Sequence, residues 1–596
     1  MEEQDDSAVK PEPSTLFDVS TSEPTVQTGA KRRLSDTDDE ERLGKKRKKE
    51  VEMHNMRLKA ITIQMQKEIR VKRPKLYMKF KDGALRMTRT PGRRLANTPN
   101  TVSLPDLIHS DYLCAAFIFS FFMGNDELFQ YLPFKTSERP RPWVDIYVGR
   151  DIAMDGLGKE FAGLETKRPK SFEEFERVVK CAQKGYRKMY GENFHAFYPF
   201  MRNGCAHTKM MVLVYPDFLR VVITSANLMT LDVVLGDNTW FIQDFPRIPP
   251  PADDDETRPK YVETKFERQL KRHIEQLGCP EDFLTRYLKP GKFDFSGVKV
   301  YLVTSVPGSY SGSQGTEYGQ LALRRIVRNK ILRYYKDDKV PRMSFEVCTG
   351  SVGHLENEDV VKNFLESCAG NRQESIEGKP ELKLVFPTLR DVQKSNVGLP
   401  AANNISSHID WRTLPEKGAE YLSTVFHHYR SKDPGTLFHL KIYVALHADK
   451  PKRTPLYLYM GSANISSSAW GVVKPELRSG VIAKSLATER LERVANFECG
   501  VVIKGRDIVG MLETNRWRDI IPYRRPTDGN RYKEGETPFR VSKSNANAPI
   551  DQDGDDFEEE EDEGDDDEEE FGTRHSTKDL VRLLSKKTIL RLVCKA

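Results

Sequence analysis

The sequence lacks any run of apolar residues long enough to cross a membrane. Its longest run, Tyr112 to Met123, is interrupted by Ser120 and falls short of the roughly 20 residues that span a bilayer. The acidic first residues do not resemble a signal peptide. The eight cysteines include no Cys-x-x-Cys pair and no short Cys/His cluster, which excludes the common zinc spacings and a disulfide scaffold. These absences predict a reduced, intracellular protein without a membrane partner.

Charge is distributed very unevenly along the 596 residues, although the net charge is only +6. Residues 551–570 contain 16 Asp or Glu and no Lys or Arg, so the rest of the chain carries +22. Within that remainder, residues 45–94 contain 18 basic and 4 acidic side chains. A basic arm on a basic body favours a polyanionic partner such as nucleic acid.

The two ends of the chain are predicted to be tails. Residues 1–100 are rich in Pro, Ser, Thr and charge, and we expect a disordered basic arm. Within it, Lys31–Arg33 and Lys45–Lys49 are separated by eleven residues, the form of a bipartite import signal. This predicts a nuclear import receptor as a partner and the nucleus as location. Residues 546–596 form an acidic tail with a short possible helix.

Between the tails, strand-like and helix-like patterns alternate, which predicts an α/β fold. Strands are expected at residues 209–214, 438–446 and 456–460, among others. Helices are expected at 107–123, 171–189 and 418–429, among others.

One pattern occurs twice in this region. His207 and Lys209 are followed by a turn, a second strand and Ser-Ala-Asn ending at Asn227. In the second half, His439 and Lys441 are followed in the same way by Ser-Ala-Asn464. A single His-x-Lys triplet is weak, but two copies with the same continuation indicate two related domains.

Strand geometry explains the His-x-Lys spacing, because side chains two residues apart lie on the same face. Phe438, Leu440 and Ile442 then anchor the second copy in a core. Two such domains packed face to face bring two His, two Lys and two Asn into one cleft. Ammonium and amide groups suit a tetrahedral phosphoryl centre, where one imidazole attacks and the other protonates the leaving group. Since no carboxylate cluster suited to Mg²⁺ accompanies the pair, we expect no metal and no cofactor.

The doubled His-x-Lys and Asn arrangement resembles the phospholipase D superfamily, and more closely its tyrosyl-DNA phosphodiesterase branch. Most of the superfamily has Asp five residues after the Lys, where this chain has Val214 and Leu446. Gly350-Ser-Val-Gly353 and the stretch from Gly461 to Gly471 also resemble this branch. The resemblance implies two α-β-α sandwich domains related by pseudo-twofold symmetry, which we place at residues 101–306 and 307–545.

The resemblance also implies roles for particular residues. His207 would be the nucleophile and His439 the general acid and later base. The phosphate oxygens would be held by Lys209, Lys441, Asn227 and Asn464. Glu498 would orient a catalytic histidine, and Asn238 stands where the family has a Gln in the corresponding role. Contacts with substrate would come from Ser351, Ser466 and Tyr131.

These features together predict a monomeric DNA repair phosphodiesterase. It would hydrolyse 3′-phosphotyrosyl links between single-stranded or nicked DNA and a topoisomerase I-derived peptide through a covalent phosphohistidine. A phospholipid hydrolase of the same superfamily is the alternative enzyme. A nucleic-acid-binding scaffold without catalysis is the alternative from another class.

Overall fold

The computed structural model describes residues 75–539 except 94–97, 125–127, 135–143, 250–260, 336–339, 354–357, 371–380, 399–407, 410–423, 452, 476, 479–480, 483–488, 534 and 537. The chain divides into one unit of Met1–Lys72 and a second of Arg73–Ala596. All of the first unit, the import signal predicted in it and the predicted acidic tail lie outside the described residues.

The first half of the fold is built on an eight-stranded sheet. Its strands are β1 (Ala84–Thr88), β2 (Thr101–Val102), β3 (Ala115–Ser120), β4 (Asp145–Arg150), β5 (Phe194–Phe197), β6 (Met210–Val214), β7 (Phe218–Thr224) and β8 (Thr239–Pro246). Their order across the sheet is β2-β1-β8-β7-β6-β3-β4-β5. Strands β3, β4 and β5 are parallel, and β6, β7 and β8 follow as antiparallel neighbours.

The second half has a seven-stranded sheet in the order β15-β13-β11-β16-β17-β22-β9. These strands are β9 (Val300–Ser305), β11 (Met343–Thr349), β13 (Glu381–Phe386), β15 (Phe426–His428), β16 (Lys441–His447), β17 (Tyr457–Gly461) and β22 (Glu498–Lys504). Short strands form small sheets beside it: β10 (Gly308–Tyr310), β12 (Ser351–Val352), β14 (His408–Ile409), β18 (Val472–Pro475), β19 (Leu477–Arg478), β20 (Val481–Ile482) and β21 (Glu489–Val494).

Six strands of each sheet have the same order and directions. Three parallel strands, β11, β13 and β15, are followed by antiparallel β16, β17 and β22, as β3, β4 and β5 are followed by β6, β7 and β8. The expectation of two pseudo-symmetric α/β halves is therefore confirmed.

Helices accompany both sheets. They span Leu104–Leu107, Gly156–Phe161, Phe172–Tyr190, Lys265–Gln276, Glu281–Tyr287, Gly312–Gly315, Gly319–Ile326, Glu358–Cys368, Leu389–Gln393, Ser467–Trp470 and Gly505–Ile508. The longest, predicted at 171–189, begins where the Ser171 hydroxyl accepts the N–H of Glu174 and ends at Gly191, whose φ of 104° stops the helix. None of the helices in the described residues could cross a membrane.

One apolar core joins the two sheets. Alternate residues of β6, such as Val212, and of β16, such as Ile442, belong to the same buried cluster. Phe438, Leu440 and Ile442 are fully buried, which confirms that they anchor the second His-x-Lys strand. Because both sheets share this core, the two halves are held in a fixed relation.

Several predicted boundaries and elements are wrong. Residues 84–88, predicted within the disordered arm, form β1, which pairs with β8. Residues 300–305, assigned to the first domain, form β9 of the second sheet and pair with β22. The predicted helix at 107–123 contains β3, because an apolar run buried on both faces has no period that separates strand from helix. Residues 426–428 of the last predicted helix form β15.

Candidate active site

His207 lies immediately before β6 with its imidazole held by a carboxylate from the other half. Its Nδ1 is 2.9 Å from Glu498, the first residue of β22. The same carboxylate accepts hydrogen bonds from the Ser462 hydroxyl at 2.5 Å and the Asn496 amide at 3.0 Å. Since an ionised carboxylate only accepts, Nδ1 of a neutral imidazole carries the proton and Nε2 keeps its lone pair.

His439 occupies the equivalent place before β16, and its Nδ1 lies 2.9 Å from Asp232. Asp232 belongs to a single π-helical turn, Leu231–Leu235, and is fully buried. The backbone N–H of Asn227 donates to the same carboxylate oxygen at 2.5 Å. Each histidine is thus paired with a carboxylate; the resemblance implied that Glu498 orients a catalytic histidine, and Asp232 was not predicted.

Asn238 does not make the contact predicted for it. Its carboxamide oxygen accepts from the Ser225 hydroxyl at 2.8 Å, and its nitrogen donates to the backbone carbonyl of Asp232 at 3.0 Å. Asn238 is equivalent in position to Glu498, which also accepts from the Ser of a Ser-Ala-Asn segment. The Asn238 side chain is shorter than that of Glu498, and both of its polar atoms are bonded to these neighbours. Asp232 contacts His439 in its place.

The backbone couples the two histidines to the opposite half. The His207 N–H donates to the carbonyl of Phe497 at 2.9 Å, and the His439 N–H donates to that of Asp237 at 3.2 Å. The imidazole centroids are 6.3 Å apart with their planes at 86°. The pseudo-twofold arrangement therefore brings the two rings into one site, as predicted.

Both lysines of the repeat are fully buried beside the histidines. The Lys209 ammonium donates to the carbonyl of His207 at 2.8 Å, and the Lys441 ammonium donates to that of His439 at 2.6 Å. Within the described part of the chain, no group of three or more His, Cys, Asp or Glu side chains is arranged to hold a metal ion. The two lysines bring positively charged groups to the site.

Burial is the largest influence on the pKa values of the four site cations and imidazoles. It lowers the pKa of Lys209 to about 8, and burial together with the charge of Lys209 holds the pKa of Lys441 well below its usual range. Burial also lowers the pKa of His207, while burial and then Lys441 lower that of His439 to about 3. A bound phosphodiester anion would favour the protonated form of each of these groups, so the site suits an anionic ligand.

The side-chain oxygens of both asparagines of the repeat accept hydrogen bonds that fix these residues beside the site. The oxygen of Asn464 accepts from the Ser351 N–H at 3.1 Å and the Thr349 hydroxyl at 3.2 Å. The oxygen of Asn227 accepts from the Phe122 N–H at 3.4 Å, and its nitrogen lies 3.5 Å from Nδ1 of His439. All six residues of the two predicted triplets are thus close together.

Ser351 and Ser466 flank the second half of the site. Ser466 caps a short helix, where its hydroxyl accepts the Ala469 N–H at 3.2 Å. A Cβ on Gly353 would lie 2.4 Å from that of Ser466, so the two segments are in contact. A Cβ on Gly350 would lie 2.9 Å from the Lys441 ammonium. The glycines let this backbone approach the site closely.

The aromatic side chain beside the histidines is Phe121, which the sequence analysis missed. Its ring centroid is 5.3 Å from that of His207, and the Lys209 ammonium is 5.5 Å from the Phe121 centroid. The predicted pocket aromatic, Tyr131, is half-buried and packs against the outer apolar cluster of the first half. Phe121 directly follows β3. The apolar run that contains it was predicted to be a helix, and a helix gives no reason to place Phe121 at the site.

Two halves with one strand order, each contributing a His and a Lys to a shared site, define the phospholipase D-like class of fold. The family described as tyrosyl-DNA phosphodiesterase matches residues 84–572, and the chain belongs to this family.

The chain is also similar in sequence to relatives from other organisms and in fold to a solved structure. Tyrosyl-DNA phosphodiesterase 1 of Arabidopsis thaliana is 28% identical over 288 residues, covering 46% of this chain and 44% of that protein. A probable tyrosyl-DNA phosphodiesterase of Caenorhabditis elegans is 24% identical over 310 residues, covering 50% and 62%. The matched segments thus span about half the length of these relatives. The crystal structure of the yeast tyrosyl-DNA phosphodiesterase has the same fold, with a TM-score of 0.51 at 14% identity over 77% of this chain and 99% of that chain.

Proposed function

We propose that the protein hydrolyses 3′-phosphotyrosyl links between DNA and a topoisomerase I-derived peptide, without a metal, through a covalent phosphohistidine. The observation that carries this proposal is the pair of imidazoles, 6.3 Å apart at their centroids and each paired with a carboxylate. One imidazole of such a pair can attack phosphorus while the other transfers a proton.

In the first step, Nε2 of His207 attacks phosphorus and the bond to the tyrosine oxygen breaks. His439 donates a proton to that oxygen, so tyrosine leaves as the neutral phenol. The phosphorylated imidazole is cationic, and the Glu498 carboxylate 2.9 Å from Nδ1 stabilises it. Lys209 and Lys441 stabilise the non-bridging oxygens as charge redistributes.

In the second step, His439 removes a proton from water, which attacks phosphorus as the P–N bond breaks. The products are a DNA 3′-phosphate and neutral His207. We assign contacts with the DNA strand to Ser351 and Ser466, because they flank the second half of the site. The Phe121 ring lies beside His207 in the first half.

The decisive experiment compares two substrates in the presence of EDTA. A 5′-labelled oligonucleotide with a 3′-phosphotyrosine should be converted to the 3′-phosphate, whereas phosphatidylcholine vesicles should not be hydrolysed. His447→Asn, at the far end of β16, is the matched control for His207→Ala. Activity that requires an added divalent cation, or that persists in His207→Ala, would contradict the proposal.

We further propose that the protein acts as a monomer in the nucleus. The basic cluster Lys45–Lys49 supplies five cations to an import receptor. Replacing all five with Ala in a fluorescently tagged chain should abolish nuclear accumulation, and replacing Lys31–Arg33 alone should weaken it. Unchanged localisation of the first variant would refute the import signal.

A further inference from the structure

Asp232 is a buried carboxylate beside His439 that could accept more hydrogen bonds than it does. One of its oxygens lies 2.9 Å from Nδ1 of His439 and accepts the backbone N–H of Asn227 at 2.5 Å. The other oxygen is buried without a hydrogen-bond partner. Burying a carboxylate oxygen that has no hydrogen-bond donor disfavours folding. The position of this charge is therefore explained by its contact with His439 and not by the stability of the fold.

The other charged groups that face His439 act against its protonation. Lys441 and Lys209 both lower the pKa of His439, and Asp232 raises it. The His207 ring stands 6.3 Å away at its centroid. Glu498, which lies in the same half as His439, raises the pKa of both lysines, and its own hydrogen bonds are to His207, Ser462 and Asn496.

We propose that Asp232 is the positioning residue of His439, which fixes its tautomer and balances its charge when it acts as general acid. This inference rests on the proposed function of His439. A carboxylate only accepts, so Nδ1 of neutral His439 carries the proton and Nε2 is left to exchange protons with substrate and water. When Nε2 is protonated, the imidazolium is paired with Asp232. An amide at position 238 would supply no such charge.

Two substitutions separate the hydrogen bond from the charge. Asp232→Asn keeps an oxygen that accepts from Nδ1 but removes the negative charge. Asp232→Ala removes both. Asp237→Asn is the matched control, because Asp237 is a buried carboxylate five residues away whose side chain is held by Tyr429 and Ser431 at 2.5 and 2.7 Å. All variants are made in the full chain, and a thermal melt establishes that each is folded.

The first readout does not depend on activity. In ¹⁵N-histidine NMR spectra at pH 7, His439 should carry its proton on Nδ1 in the wild type, Asp232→Asn and Asp237→Asn. Asp232→Ala should lose this preference. Retention of the Nδ1–H form in Asp232→Ala would overturn the proposal whether or not the protein cleaves DNA adducts.

The second readout is the pH profile of single-turnover cleavage of the 3′-phosphotyrosyl oligonucleotide. Removing a charge that raises the pKa of His439 lowers that pKa, so the protonated acid persists only to lower pH. The alkaline limb of the Asp232→Asn profile should move down by about one pH unit, and Asp232→Ala should lose about 10²- to 10⁴-fold in rate. An unmoved limb in Asp232→Asn would refute the charge-balancing role. A wild type that leaves the oligonucleotide intact while the tautomer result holds would refute the proposed function alone.

Discussion

Replacing His439 with Asn should separate the two proposed chemical steps. The first step expels tyrosine, whose phenol has a pKa of about 10 and leaves tolerably even when it is not fully protonated. The second step uses water, a poor nucleophile that needs His439 as its base. Loss of a general acid or base costs about 10² to 10⁴ in rate, and we expect most of that cost in the second step.

The structure supports this asymmetry, because the nucleophile keeps its own supports in the variant. Nδ1 of His207 is held by Glu498 at 2.9 Å, and neither residue uses the His439 side chain as a hydrogen-bond partner. Lys209 donates to the backbone of its own half at 2.8 Å. The phosphohistidine should therefore form in His439→Asn and persist.

The assay is the capture of a covalent adduct. A 5′-labelled oligonucleotide with a 3′-phosphotyrosine should become attached to His439→Asn in a form that resists SDS. Acid should release it, because a P–N bond is acid-labile. His207→Ala should form no adduct, and His447→Asn should turn over without accumulating one. Equal behaviour of the two active-site variants, or an adduct that requires His439 and not His207, would show that the roles are wrong or reversed.

Three further predictions address the approach to the site, its charge and its tail. Gly350→Ala should lower kcat about tenfold or more at an unchanged Tm in steady-state kinetics. The added Cβ would lie 2.9 Å from the Lys441 ammonium, and a small misplacement of a catalytic group is costly. Gly297→Ala is the control, because a Cβ there meets nothing within 4 Å. Binding of the oligonucleotide should weaken above about pH 8, since Lys209, with a pKa of about 8, loses its charge there; affinity that is constant from pH 7 to 9 by fluorescence anisotropy would contradict this. If the 16 acidic residues at 551–570 compete with DNA for the basic site, deleting them should tighten binding to single-stranded DNA at low salt. Equal affinity of the two chains would exclude that competition.

The repeat could be predicted from the sequence because all of its parts are local. Alternation places His439 and Lys441 on one face, buried Leu440 lies between them, and a short turn returns the chain to Ser-Ala-Asn464. A second copy then implies the pseudo-twofold arrangement. Glu498 was found by resemblance, and it does contact His207.

Other features could not be found in this way, since their cause is not local. Strand β1 is five residues long in a basic segment, and it forms because β8 offers a free edge about 150 residues later. Strand β9 lies before the predicted domain boundary but pairs with the last strand of the other half. Asp232 contacts His439 from a π-helical turn. The one extra residue in such a turn leaves no signal in the spacing of hydrophobic residues along the sequence.

The two carboxylates suit the different tasks proposed for their histidines. Glu498 receives hydrogen bonds from His207, Ser462 and Asn496, so its charge is fixed in position throughout the life of a cationic phosphohistidine. Asp232 holds His439 with one oxygen and keeps the other unpartnered. Asp232 accepts from one other donor, the Asn227 N–H, whereas Glu498 accepts from two. A histidine proposed to gain and lose a proton within each turnover is served better by the carboxylate with fewer competing donors. The symmetry of the fold therefore brings the two imidazoles together, and the departure from symmetry in their partners matches the different roles that we propose for them.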